Sequence, residues 1–371
     1  MKKSAAAPEN FFCRMNLYQH LSRVMTKGRF FVPQIDGLRF VAITAVLAFH
    51  VRAITAWHYG ITLESPTGAD GLVNWTFGAG SKGVELFFAI SGFILGLPFA
   101  RQYLHQAEPV RLKAYYLRRL TRLEPPYVIQ LIFALLVTWL FLRHQPSHRE
   151  LYHQPDWLAQ TLRHLGVSLF YGNGLIYQAH PQPNIVLWSL EIEVQFYLLA
   201  PLLARVFQIS PAPARRMAIM SLILLPMALG PLMAAFPWLG WTVLGKLQFF
   251  MAGFLFCDLY LNGHVRTEKR HHLWDLSFLG AIAAVIGLSG FEIDDPFLPW
   301  LWLMISGLIR LTIHCSTRIF WLDMLIQFVL MSVIIIAVCS VLFALFERPF
   351  MQRDWPQKFW ARVTRKKPAT V

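Results

Sequence analysis

The residues of this 371-residue sequence that could do chemistry are titratable and hydroxyl side chains inside apolar runs. In the run Asp36-Gly37-Leu38-Arg39 to Ala48-Phe49-His50, eleven residues separate Arg39 from His50. On a helix that spacing is close to three turns. The two side chains then fall within roughly 20° of one another and about 16 Å apart along the axis. An imidazole in such a column can sit neutral and still accept a proton, and a guanidinium at its foot can hold an anion. A satisfied core histidine and a snorkelling arginine would give the same spacing. The run Trp188-Ser189-Leu190-Glu191-Ile192-Glu193-Val194-Gln195-Phe196-Tyr197 places Ser189, Glu193 and Tyr197 on one helical face and Glu191 with Gln195 on another. A charged side chain at mid-bilayer costs on the order of 2.5–3.5 kcal/mol, so at least one of these carboxylates must face a polar cavity. Counted from the outer side, Glu193 is expected at a depth comparable with His50. In Gly83 to Phe93, Glu85 falls near the outer surface and Ser91-Gly92 makes a small polar spot at mid-depth. Helix packing explains that pair as readily as catalysis does. On the opposite side, Tyr115 to Tyr127 carries Arg118, Arg119 and Arg122 ahead of Pro125-Pro126. Arg119 and Arg122 are i, i+3 neighbours whose forks suit phosphate, and topology-setting charge is the competing explanation.

Elements that cross a bilayer must position these groups. Apolar residues make up 56% of the chain and charged residues 15%, with 30 Phe and 13 Trp. The mean hydropathy is +0.46. A soluble fold cannot hide that much apolar surface, and disordered, collagen-like and coiled-coil classes fail on the same numbers. The class is therefore an all-α polytopic membrane protein. With ~20 apolar residues per crossing, about nine spans are readable, near 37–57, 83–100, 125–142, 184–207, 217–236, 239–261, 273–291, 297–313 and 319–346. Residues 10–31 read as a basic amphipathic surface helix, and 157–177 as an interfacial or re-entrant piece rather than a crossing. The net charge of +14 lacks any groove-reading motif, so a membrane surface, not nucleic acid, is the expected partner. Four unpaired cysteines and scattered histidines indicate neither a disulfide framework nor a metal site.

Basic residues in the leader, after the second span (Arg101, Arg111, Lys113, Arg118), after the fourth (Arg205, Arg215, Arg216) and after the sixth (Arg266, Lys269, Arg270) place the N-terminus in the cytoplasm. Nine crossings would leave the C-terminus outside. Its tail, with Arg353, Lys358, Arg362, Arg365, Lys366 and Lys367, carries a cytoplasmic signature instead. Parity thus asks for an even count, with one crossing lost near 310–320.

Taken in order, the motifs resemble the acyltransferase-3 family of integral-membrane O-acyltransferases. Its (I/L)DGLRG pattern with a later His matches Ile35 to Arg39 and His50, and its G-V-D/E-L-F-F-x-x-S-G-F block matches Gly83 to Phe93. Its R-x-x-R before proline matches Arg119 to Arg122, its W-S-L-x-x-E-x-Q-F-Y matches Trp188 to Tyr197, and E-R-P matches Glu347-Arg348-Pro349. The resemblance implies ten helices, cytoplasmic termini, and transfer of an acyl group, usually acetyl, from cytoplasmic acyl-CoA to a hydroxyl of an extracytoplasmic or lipid-linked glycan. It implies a multi-pass protein of the bacterial inner membrane. The domains are then a leader (1–35), a membrane acyltransferase domain (36–349) and a basic cytoplasmic tail (350–371). By matched position, His50, Arg39 and Glu193 would be catalytic. Arg119 and Arg122, with Arg118, would hold the acyl-CoA co-substrate; Asp36, Glu85, Ser91, Trp188, Ser189 and Tyr197 would support the site; no metal is implied. Phe40 replaces the pattern's second Gly, Glu191 stands where Ser is common, and the family's S-Y-x-x-Y-L-x-H helix is not recognisable. That last departure coincides with the failed parity and implies an internally shortened copy. A transporter of a lipid-linked sugar or anion and a non-catalytic scaffold are the rival readings.

Overall fold

A computed structural model of the chain describes residues 33–58, 68–144, 157–181, 184–263 and 320–342. Among the described residues every regular element is helical. The elements are α1 (Pro33–His58), α2 (Gly68–Gly78), α3 (Lys82–Leu104), α4 (Leu112–His144), α5 (Trp157–Ser168), α6 (Asn173–Tyr177), α7 (Trp188–Leu203), α8 (Ala212–Ala228), α9 (Gly230–Ala235), α10 (Leu247–Leu261) and α11 (Phe320–Leu342). The expected spans at 273–291 and 297–313, the leader helix, most of the 310–320 region and the Glu347-Arg348-Pro349 block lie outside the described residues.

Among the described residues three stretches are long and apolar enough to cross a membrane by length and composition: Asp70–Leu104, Ala212–Ala235 and Val243–Leu261. The first is longer than expected because α2 runs through the 3-10 turn Ala79–Ser81 straight into α3. The 12 residues of α5 and 5 of α6 are too short to cross, in keeping with a re-entrant piece.

In lipid, burying Phe gives no hydrophobic gain between helices, so close packing must hold them together. The sequence provides for this at α3 and α10. A Cβ on Gly92 would overlap the Phe250 carbonyl, and one on Gly253 would overlap the Ala89 carbonyl. Backbone contact there lets Phe88, Phe93, Phe196, Phe250 and Phe254 interlock, with Phe196 stacked on Phe250 at 4.0 Å. A second anchor is ionic. Asp258 is fully buried on α10 and accepts from Arg215 Nε at 2.5 Å and Arg216 Nε at 2.7 Å, both from α8.

The contacts also fix direction. The Gly80 and Gly83 positions abut Ala42 to Phe49, so α1 runs antiparallel to α2–α3. α10 runs parallel to α3, and the end of α3 meets the end of α10 where His105 Nε2 lies 3.1 Å from Leu261 O. These ends define one face of the bundle, the face on which α1 begins. Trp321 N, in the first turn of α11, donates to Asp70 Oδ1 at 3.1 Å on the opposite face. α11 therefore starts where α1 finishes and runs back toward the face where α1 starts. That direction agrees with the charge of the tail that follows it.

Candidate active site

α7 sorts its two carboxylates by face, as the i, i+4 spacing requires. Ser189, Glu193 and Tyr197 line one cavity of about 410 Å³, together with Arg39 of α1, Ser91 of α3, and Arg119 and Arg122 of α4. Val46, Val84, Phe87, Ile90, Pro126 and Leu190 supply much of its apolar wall. Glu191, on the other face, is 2% exposed and points away from the cavity into the α5–α6 segment. Gln195 shares that direction and accepts from Val243 N at 2.8 Å. Of the two acids, then, one serves a polar lumen and the other serves packing.

Within the cavity, Glu193 Oε1 accepts from Ser91 Oγ at 2.5 Å and from the Tyr197 hydroxyl at 2.7 Å. Ser91 and Gly92 divide the two roles open to them: Ser91 bonds the carboxylate, while Gly92 admits the α10 backbone. Arg119 stands over two rings, with its Cζ 5.8 Å from the Tyr115 centroid and 5.9 Å from that of Tyr197. Its Nε is buried with no hydrogen-bond partner among the described residues. Burial lowers the pKa of this guanidinium, since desolvation disfavours its charge. Tyr115 holds α4 to α7 by donating to Tyr197 O at 3.3 Å, and burial pushes its phenol up to about 12. At the foot of α1, Arg39 Nη1 donates to Asp36 Oδ1 at 2.9 Å, the i, i+3 contact that orients the guanidinium.

Other residues expected at the site lie beside it. Arg118 is exposed and outside the cavity lining, and Glu85 pairs with Lys82 at 3.5 Å. Trp188 packs edge-on to Phe88, with Lys246 Nζ 5.8 Å from its ring centroid. His50 is not in the lining; its Nδ1 is buried without a hydrogen-bond partner, and its ring meets Phe49 edge-on. Val46 does line the cavity, one turn before His50 on the same stripe as Arg39. The expected equality of depth between His50 and Glu193 does not hold. Ser91, bonded to Glu193, lies eight residues or about 12 Å along α3 from Gly83, and Gly83 already abuts Ala42 and Val46. His50 lies the other way. The long α2–α3 helix carries Ser91 deeper than a standard span would.

Sequence reasoning missed Tyr115, which sits one turn before Arg119, and the Asp258 cluster. The signal for the latter was a lone acid in a strongly apolar helix, matched by Arg215-Arg216 after the preceding span. Among the described residues no group of acidic, histidine or cysteine side chains could hold a metal.

Comparison with known proteins bears on what such a cavity does. The chain is 29% identical over 194 residues to peptidoglycan O-acetyltransferase OatA of Listeria monocytogenes, a stretch covering 50% of this chain and 26% of that protein. It is 28% identical over 181 residues to O-acetyltransferase OatA of Staphylococcus aureus, covering 46% and 24%. It is 29% identical over 212 residues to the putative peptidoglycan O-acetyltransferase YrhL of Bacillus subtilis, covering 54% and 28%. The matched stretch thus spans about a quarter of the length of these relatives. No solved structure matches. A family model described as an acyltransferase domain matches residues 32–362, nearly the whole chain. The cavity described above lies within that range, and the chain belongs to this acyltransferase family.

Proposed function

We propose that this protein is a bacterial inner-membrane O-acyltransferase with a cytoplasmic N-terminus, moving an acyl group, acetyl by preference, from acyl-CoA to a glycan hydroxyl beyond the bilayer. The observation that carries the reading is the cavity itself, in which three arginines and a hydrogen-bonded carboxylate meet an apolar wall. Arg119 and Arg122 would fork onto the phosphates of the donor. An anion there also relieves the cost of keeping the buried Arg119 charged. Arg39, aimed by Asp36, would hold the donor or the developing negative charge.

The stripe Arg39–Val46–His50 suggests the direction of transfer, since the cavity ends one turn short of the imidazole. His50 would take the proton of the acceptor hydroxyl as its oxygen attacks the thioester carbon. The C–S bond then breaks, and the departing thiolate ends as the thiol with that proton. A transient acyl-imidazole is the other route open to the same residue. The OatA and YrhL proteins carry peptidoglycan in their names, which makes a peptidoglycan sugar the first acceptor to test.

Membranes containing the protein, supplied with labelled acetyl-CoA and peptidoglycan fragments or lipid-linked sugar, should yield acetylated glycan, and His50→Ala should abolish it. Transport of a lipid-linked sugar with no acetyl transfer would replace this reading with a carrier. Neither activity would leave a scaffold.

A further inference from the structure

We propose that the turn between α5 and α6, residues 168–174, is a strut that fixes the separation of the Arg119–Arg122 cations on α4 from the Glu193–Tyr197 face on α7. The inference rests on the cavity reading above and assigns positioning roles to Glu191, Glu124 and Tyr171. At one end the strut is bound to α7. Glu191 Oε1 accepts from Asn173 N at 3.3 Å and Asn173 Nδ2 at 3.1 Å, and Oε2 accepts from Gly174 N at 3.0 Å. Asn173 is itself fixed, since its Nδ2 donates to Ser168 Oγ at 2.7 Å and its Oδ1 lies 2.8 Å from His164 Nδ1. At the other end the strut is bound to α4. The Tyr171 hydroxyl donates to Glu124 Oε1 at 2.9 Å, the Tyr127 hydroxyl donates to Ser168 O at 2.7 Å, and the two rings stack at 4.6 Å.

The placement of the anchors argues for the role. Glu124 is two residues from Arg122, and Glu191 is two residues from Glu193. Two residues on a helix are about 200° of turn, so each helix offers one face to the cavity and the opposite face to the strut. Tyr171 is held at φ 56°, a left-handed conformation that a side chain this large adopts only when its surroundings enforce it. Asn173 is fully buried and Tyr171 is 8% exposed, so water cannot stand in for the lost partners. Without these bonds, α4 and α7 would be joined by Tyr115 and Tyr116 at one end and, along the cavity, by the apolar packing of Leu123, Tyr127, Leu190 and Val194, which has no directed bond to set a separation.

The test uses the full-length protein in lipid nanodiscs, with Cys13, Cys315 and Cys339 changed to serine and Cys257, which is fully buried, retained. Nitroxides at Ile132→Cys, on α4 past the strut, and at Leu199→Cys on α7, both exposed, report the α4–α7 distance by pulsed electron resonance. A single narrow distribution is expected, broadened in Glu191→Ala and Tyr171→Phe and narrowed part of the way in Glu191→Gln, whose one carbonyl oxygen keeps the Asn173 donors while its amide nitrogen loses the Gly174 N–H. In steady-state acetyl transfer, both broadened variants should raise KM for acetyl-CoA about fivefold to tenfold, with kcat within about twofold. An unchanged distribution in Glu191→Ala and Tyr171→Phe overturns the strut, as does a loss confined to kcat. If Glu191→Ala is not recovered in the membrane, Tyr171→Phe, which removes one hydroxyl, decides alone. Should the unmodified protein transfer no acetyl group, the proposed reaction falls, and the distance distributions still judge the strut.

Discussion

Tyr197→Phe isolates a single bond at the centre of the cavity. The Tyr197 hydroxyl and Ser91 Oγ donate to the same oxygen of Glu193, at 2.7 and 2.5 Å, while the Tyr197 ring also lies beneath Arg119. Removing the hydroxyl leaves the ring, and so leaves the cation–π contact. A hydrogen bond to an ionised group contributes about 1.5–3 kcal/mol. The lower figure applies where cavity water can take the vacated site, and Glu193 lines the cavity. About 1.4 kcal/mol is tenfold in rate. The expected result is therefore roughly a tenfold fall in kcat/KM for acetyl transfer, carried mainly by kcat if Glu193 acts in the transition state. Tyr197→Leu removes the ring as well and should add a rise in donor KM of a few-fold, worth the ~0.5–1 kcal/mol of one cation–π contact. Both are measured in membranes with labelled acetyl-CoA, normalised to protein. Tyr197→Phe with kcat/KM within twofold of the parent would refute the view that this hydroxyl holds the carboxylate in its working state.

Further outcomes follow from the same geometry. Gly92→Ala should destabilise the detergent-solubilised protein by about 1–3 kcal/mol or more, because the new methyl meets the Phe250 backbone. Gly96→Ala should cost less, because it meets only the Phe254 ring and the Cys257 sulfur; thermal melts compare the two. Asp258→Asn should lower stability by about 3–5 kcal/mol by stranding the buried Arg215, and chemical denaturation in micelles reads the loss. A reporter fused after Val371 should register the cytoplasm, because α11 runs back toward the face on which α1 begins; periplasmic phosphatase activity from that fusion would contradict it. Val46→Phe should leave binding of labelled acetyl-CoA intact while cutting transfer at least tenfold, since Val46 is the last lining residue before His50; equal losses of both would refute the passage.

Much of the site was legible because helical periodicity converts spacing into direction. Ser189, Glu193 and Tyr197 share a face in the sequence and a cavity in the structure. Arg119 and Arg122 likewise fall together once α4 is helical through Pro125-Pro126. Depth was less legible, because it depends on where one helix stops and the next begins. Gly78, Gly80 and Gly83 read as a break, yet α2 runs on through the Ala79–Ser81 turn into α3 because two of these glycines let α1 approach closely. The role of Glu191 was invisible for a different reason. Its partners, Asn173 and Gly174, are 18 and 17 residues away at the start of the short α6, and no period links them to it. The Asp258 cluster shows the same limit: the charges of Arg215 and Arg216 set topology and also satisfy a buried acid, and sequence alone reveals only the first.

The distance between the cations and the imidazole constrains the chemistry proposed for them. A general base must come within hydrogen-bond reach of the proton it removes. His50 is about 16 Å along α1 from Arg39, and farther from the level of Ser91 and Glu193. Glu193 therefore cannot orient the imidazole by direct contact in this arrangement. The donor, on the reading above, must span the gap instead, with its phosphates at Arg119 and Arg122 and its thioester directed past Val46. The lining between those points suits such a molecule, since Val84, Phe87, Ile90 and Val46 present no charge to an uncharged, flexible arm. A column that keeps cations at one end and an imidazole at the other separates anchoring from reaction. The strength with which the phosphates are held need not then be shared by the departing acyl group, and binding energy gathered at one end remains for orientation at the other.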